Sequence, residues 1–157
     1  MSEKISNPIN EDGEISYQNI LVAVDESKEA TKAFKVALDL AKKFDASLLI
    51  VSYLNTATLE AFKTFTPSIH NIRAELANRV NVLKKMAQSE GVKDVKSITG
   101  EDSPGSAIIE KVIPKYHCDL IVCGATGTSK LDRYLIGIGS QSSYIARLAP
   151  CSVFIVR

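Results

Sequence analysis

The run Leu120-Ile121-Val122-Cys123 is apolar on both of the faces a strand would present, and it breaks at once into Gly124-Ala125-Thr126-Gly127. A strand buried on both faces belongs in a parallel sheet covered by helices on each side. That feature restricts the chain to the α/β folds. A second cluster, Gly137-Ile138-Gly139-Ser140, stands just before another amphipathic segment. Glycines at a strand end and again at a helix start let backbone N–H groups approach a ligand without Cβ obstruction. Phosphate suits that arrangement best, since a helix N-terminus offers unpaired donors and a partial positive charge.

The rest of the chain repeats the alternation of apolar run and helical pattern. Ile20 to Val24 is a run of strand length ended by Asp25; Ser27 suits an N-cap, and Ala30, Phe34, Ala37, Leu38 and Ala41 then recur at helical spacing. Leu48 to Leu54 follows through the short turn Phe44-Asp45-Ala46. Strand, helix and strand with no hairpin signal predict a parallel pair joined by a right-handed crossover. The Thr-rich stretch Asn55 to Pro67 reads as a short helix, a flap over a site, or a surface excursion that tucks its own aromatics down. From Ser68, Ile69, Ile72, Leu76, Val80, Leu83 and Ala87 predict a long helix, with Gly91 where a left-handed C-terminal residue belongs. Val92 to Ile98 reads as a third strand, polar enough for an edge, and Gly100 to Pro104 as a turn with Ser103 as N-cap and Pro104 at the first helical position. That next helix runs through Ile108, Ile109, Val112 and Ile113, and Pro114 should kink or stop it. Ser140 to Leu148 is a last helix ended by Pro150, and Ser152 to Val156 a last strand. Five strands alternating with four helices make a doubly wound parallel sheet. Residues 1–16 are polar and read as a mobile tail, which leaves residues 17–157 as one domain.

Composition narrows the function classes. The formal net charge is +1, with no basic excess to serve a nucleic-acid surface. No apolar run approaches the ~20 residues of a membrane helix, and the N-terminus is polar and acidic where a signal peptide would be basic and then apolar, so the expected compartment is the cytoplasm. Cys118, Cys123 and Cys151 lack metal-ligand spacing. Cys123 and Cys151 read as small buried hydrophobes, and Cys118, between His117 and Asp119, as the more exposed of the three.

Gly124, two residues, Gly127, nine residues and Gly137 reproduce the Gly-x2-Gly-x9-Gly spacing of the universal stress protein family. The ending Pro150 to Arg157 resembles that family's closing strand, and Ile20 to Ser27 its first strand and acidic turn. The resemblance implies strand order 3-2-1-4-5, with a topological switch between strands one and four, and open sheets of this kind bind ligands beyond the carboxyl ends of the strands at such a switch. Asp25 and Cys123-Gly124 close those two strands, so two sequence-distant motifs converge on one crevice. The resemblance also implies ATP, with Mg2+ on its phosphates, held by Gly124, Gly127, Gly137, Gly139 and Ser140. Tyr53 stands where ATP-binding members hold the adenine through the main chain. Each residue has a second reading: Asp25 as a turn residue, the glycines as loop glycines, Ser140 as a helix cap, and Tyr53 as a core or dimer contact. Lys130 and Arg133 lie between the glycine clusters and either approach a triphosphate or stay solvated. In ATP-binding members Ser or Thr directly follows the third glycine; here Ile138 does, and the hydroxyl comes only at Ser140.

Other phosphate signatures fail. There is no Gly-x4-Gly-Lys-Ser/Thr, and Gly137-Ile138-Gly139 lacks a third glycine at the dinucleotide spacing. Neither His70 nor His117 has a partner for a catalytic pair, so an enzyme is not expected beyond slow hydrolysis of bound ATP. The expectation is a nucleotide-binding stress or signalling protein, with a nucleotide-free interaction module of the same fold as the alternative. In either case the apolar last strand, at a sheet edge in the implied order, would pair with a second copy about a two-fold axis.

Overall fold

The computed structural model describes residues 7–25, 27–56, 60, 66–125 and 140–157. The strands are β1 (Asn19–Ala23), β2 (Ser47–Leu54), β3 (Val95–Glu101), β4 (Leu120–Gly124) and β5 (Ser152–Val156). They form one sheet in the order β3-β2-β1-β4-β5, every adjacent pair parallel. This is the doubly wound α/β sheet that the sequence predicts. Among the described residues the helices are α1 (Lys28–Phe44), α2 (Thr66–Ser89), α3 (Pro104–Ala107, a π turn Ile108–Val112, then Ile113–Tyr116) and α4 (Ser140–Leu148).

Alternation along the strands sorts the core into two layers. Ile20, Val22, Leu48, Ile50, Leu120 and Val122 face α1 and α2, where Ala33, Phe34, Ala37, Val80 and Ala87 meet them. Leu21, Leu49, Val51 and Ile121 face α3 and α4, meeting Ile108, Val112 and Ile145. Burying each large side chain stabilises the fold by about 1.5–3 kcal/mol, which makes β1 and β4, closed on both faces, the rigid axis of the sheet.

Helix ends follow the expected chemistry. The Ser27 hydroxyl accepts from the Ala30 N–H at 3.0 Å and opens α1, and Asp45, left-handed at φ 52°, closes it. Gly91, at φ +97°, ends α2: its N–H reaches the Gln88 carbonyl, and the Val92 N–H reaches Ala87. This pair of bonds explains one difference from expectation. Val92 is apolar because it seals the end of α2 against Ala87, not because it starts a strand, so β3 begins at Val95. The same strand also ends later than expected. Gly100 lies inside β3, paired with Tyr53, and the expected turn begins only at Asp102.

Pro114 neither stops nor breaks its helix. The Ile113 N–H bonds to Ile108, five residues back, and this widened turn accommodates a ring that has no N–H to give. Cys118 differs too: it is buried, at 4% exposure, under α3. Within the stretch expected to be a tail, residues 7–16 form a hydrogen-bonded turn. Ile9 bridges Ile15, and Asn10 Oδ1 accepts from the Asp12 and Glu14 N–H groups. Gly127, Lys130, Arg133, Gly137, Ile138 and Gly139 lie outside the described residues, as does most of the Asn55–Pro67 stretch.

Candidate functional site

The expected crevice lies where β1 stops. The β1–β4 ladder runs to Val22↔Val122 and the β1–β2 ladder to Ala23↔Val51. Beyond them Val24 still donates its N–H to Val51, at 2.9 Å. The chain then turns at Asp25, half-buried, whose Oδ1 accepts the Ser27 N–H at 2.8 Å. Asp25 therefore does the turn work that its residue type predicts, at the carboxyl end of the central strand.

Two buried serines flank this point, and sequence reasoning missed both. Were the ladders continued, the Val24 carbonyl would receive the Tyr53 N–H, and the Gly124 carbonyl the Asp25 N–H. Serine hydroxyls take those carbonyls: Ser52 Oγ donates to Val24 at 2.8 Å, and Ser142 Oγ, from the first turn of α4, donates to Gly124. Both side chains are buried, at 2% and 7% exposure, deep enough that an unpaired hydroxyl would be costly. Ser52 had a legible signal, a lone hydroxyl inside the apolar run Leu48 to Leu54. Ser142 had none beyond sharing a helix face with Ile145.

Gly124 owes its lack of a side chain to packing. A Cβ there would lie 2.8 Å from Glu29 Cβ and 3.1 Å from the Glu29 carbonyl carbon. The first turn of α1 thus rests on the end of β4, while α4 reaches the same residue through Ser142. The first turns of two helices, each a positive dipole end, meet at Gly124 beside Asp25.

The other expected site residues take their places around this point. Cys123, in β4, is buried, with its thiol ionisation pushed up by burial and partly offset by a hydrogen bond with Ser142. Ser140 opens α4. Tyr53 lies two residues past the last β1–β2 pair, and alternation turns its N–H and C=O to the β1 side of β2. Its ring covers Gly100, where an added Cβ would come within 2.6 Å of Cε1. Burial raises its phenol ionisation, with the Lys111 charge opposing. Beside it Lys111 Nζ donates to Asp102 Oδ2 at 2.6 Å, and this bond holds the carboxyl below its ordinary value. The structure thus places Asp25, Tyr53, Cys123 and Gly124 at the carboxyl ends of β1, β2 and β4 and Ser140 at the start of α4; Gly127, Gly137 and Gly139 are not among the described residues.

The model of the universal stress protein family matches residues 16–157. The chain belongs to that family. A Staphylococcus aureus (strain USA300) protein assigned to the universal stress proteins is 37% identical over 144 residues, covering 91% of this chain and 86% of the relative. The solved structure of the universal stress protein UspA from Lactobacillus plantarum superposes with TM-score 0.74 at 28% identity, covering 92% of this chain and all of that one, 100%. A universal stress protein solved in complex with cAMP superposes with TM-score 0.65 at 23% identity, covering 90% and 98%, a likeness that shows the fold alone. No helix among the described residues of this universal stress protein is long and apolar enough to cross a membrane.

Proposed function

We propose that this universal stress protein binds an adenine nucleotide, ATP with Mg2+ on its phosphates, at the carboxyl ends of β1 and β4, and that occupancy biases its choice of partner in a cytoplasmic stress response. The meeting of the α1 and α4 N-termini at Gly124 carries this reading, because phosphate is the ligand such an arrangement stabilises. Three points support it: the cAMP bound by a protein of the same fold, the glycine spacing through Gly127 and Gly137, and Tyr53 at the end of β2, where the family resemblance implies main-chain contacts to the adenine. Mg2+ would arrive on the phosphates, with Asp25 the carboxylate at the end of β1; among the described residues no group of three His, Cys, Asp or Glu could hold a metal ion by itself. The sequence motifs assemble no nucleophile–base pair, and turnover of ATP would be a slow side reaction. Calorimetry tests the reading: heat with ATP–Mg2+, lost in Gly127→Val and Gly137→Val, supports it, and no heat with ATP, AMP or cyclic AMP removes it.

A second reading has its own observation. The bare Cα of Gly124 is fully accounted for by the first turn of α1, with no ligand required. In that case the protein is a nucleotide-free module acting through a homodimer along β5, whose Phe154 is 45% exposed at the sheet edge. A melting temperature unmoved by ATP, together with retained partner binding, would favour it. Light scattering that finds a monomer at micromolar concentration would remove the dimer.

A further inference from the structure

We infer that Ser52 and Ser142 are a pair of positioning residues that end the hydrogen-bond ladder on the two sides of β1, and so keep the Tyr53 and Asp25 N–H groups out of the sheet and available to a ligand. The inference rests on the nucleotide reading for the identity of that ligand, but not for the ladder itself.

The geometry is local and specific. Ala125 donates its N–H to Val156 on β5, at 2.8 Å, so alternation turns the Gly124 carbonyl the other way, toward β1 and the crevice. The Val24 carbonyl, by the same alternation, faces β2, since the Val24 N–H is already bonded to Val51 there. Each carbonyl is the next acceptor a parallel ladder would use, and each is occupied by a serine hydroxyl from a buried side chain. The two bonds come from different directions. Ser52 belongs to β2 itself, and Ser142 belongs to α4, the helix that follows the second glycine cluster. The Ser142 bond therefore fixes the start of α4 to the end of β4, the two ends between which the glycine motif runs in sequence. A purely structural role would be to satisfy two buried carbonyls. The positioning role differs in sign: take the hydroxyl away, and the carbonyl becomes free to capture the strand N–H it now lacks.

Amide exchange read by NMR separates the two roles without any nucleotide. In Ser52→Ala the Tyr53 amide should exchange about tenfold more slowly, the effect of one added backbone bond, and in Ser142→Ala the Asp25 amide should do the same. Ser52→Thr and Ser142→Thr keep the hydroxyl and should restore wild-type exchange. Ser47→Ala, which removes a hydroxyl bonded to Asn19 Oδ1 at the opposite, amino end of the sheet, should leave both amides unchanged. Titration of the same variants with ATP–Mg2+ should show affinity lowered about tenfold in each alanine variant and recovered in the threonine variants. Faster or unchanged exchange at Tyr53 and Asp25 in the alanine variants would overturn the inference, whatever happens to affinity. Slower exchange with a wild-type protein that binds no ATP, AMP or cyclic AMP would uphold the ladder stop and remove the nucleotide reading instead.

Discussion

The two ends of the sheet use the same residue types for opposite purposes. At the amino end, the Asp119 carboxylate accepts the Gln18 and Asn19 N–H groups at 2.8 and 3.0 Å. The Asn19 amide donates to the His117 carbonyl and accepts from Ser47 Oγ. Every partner in that network is the protein itself, and what remains is a cavity of about 50 Å³ lined in part by Asn19, Ser47, Tyr116 and Cys118. At the carboxyl end, Asp25 takes one N–H of its own turn, and serines close the carbonyls at which the ladders stop. An aspartate and a serine tie the backbone together at one end; at the other, among the described residues, they stop the ladders beside the first turns of α1 and α4. Residue type alone therefore does not mark a binding site.

The largest effect should come from breaking the sealed end. Asp119→Ala removes a charged acceptor shared by two backbone donors and should cost about 3 kcal/mol in urea denaturation. Nucleotide affinity, measured on the folded variant, should not move. A parallel loss of affinity would mean that the two ends are not independent.

Next comes Gly124→Ala. The methyl would press on the backbone of Glu29, which cannot swing aside, so α1 must shift and the fold should lose about 2 kcal/mol. If instead stability is unchanged and only binding falls, the residue serves a ligand alone, and α1 does not press on the end of β4.

These two residues show what the sequence made legible. Strand order, the α1 cap at Ser27, the left-handed Gly91 and the start of α3 at Pro104 were readable, because each follows from local chemistry or from the motif. Tertiary partners decided the rest. Val92 looked like a strand residue until its role in closing α2 was visible, and Gly100 looked like a turn until the Tyr53 ring covered it. Cys118 lies between two polar residues in sequence, yet it packs under α3. Gly124 was readable as a glycine that something must approach; that α1 approaches it was not. Asp119 stands just before the apolar run of β4, and only the structure shows its side chain bonded to the Gln18 and Asn19 N–H groups, about a hundred residues earlier.

The thiols at the sealed end give a weaker, pH-dependent effect. Burial pushes the Cys118 thiol up to about 12, with nearby Cys151 and Asp119 adding to it, and burial pushes Cys151 up to about 11. In the unfolded chain both would ionise near 9.0. As pH rises above that value, the unfolded state releases protons that the folded state still holds, so stability falls. It is fully present below pH 9 and is lost up to the folded ionisations, at a slope approaching ~1.4 kcal/mol per pH unit for each thiol. Urea titrations between pH 8 and 10.5 should show the decline, and Cys118→Ala should flatten part of it. A flat profile would mean that water reaches these thiols and that the amino end is less closed than its hydrogen bonds imply.

The smallest change in stability should carry the most information about the open end. Asp25→Asn preserves an oxygen at the Oδ1 position, so the bond from the Ser27 N–H survives and the turn into α1 keeps its shape. Stability should change by less than about 0.5 kcal/mol. The substitution removes one negative charge from the crevice and nothing else. If the carboxylate holds a ribose hydroxyl or approaches Mg2+ on the phosphates, affinity for ATP–Mg2+ should fall by about tenfold or more, while affinity for free phosphate stays level or rises as repulsion is relieved. If Asp25 is only a turn residue, both affinities stay where they were. The amino end has no equivalent experiment, because both Asp119 oxygens are already occupied by the protein's own backbone.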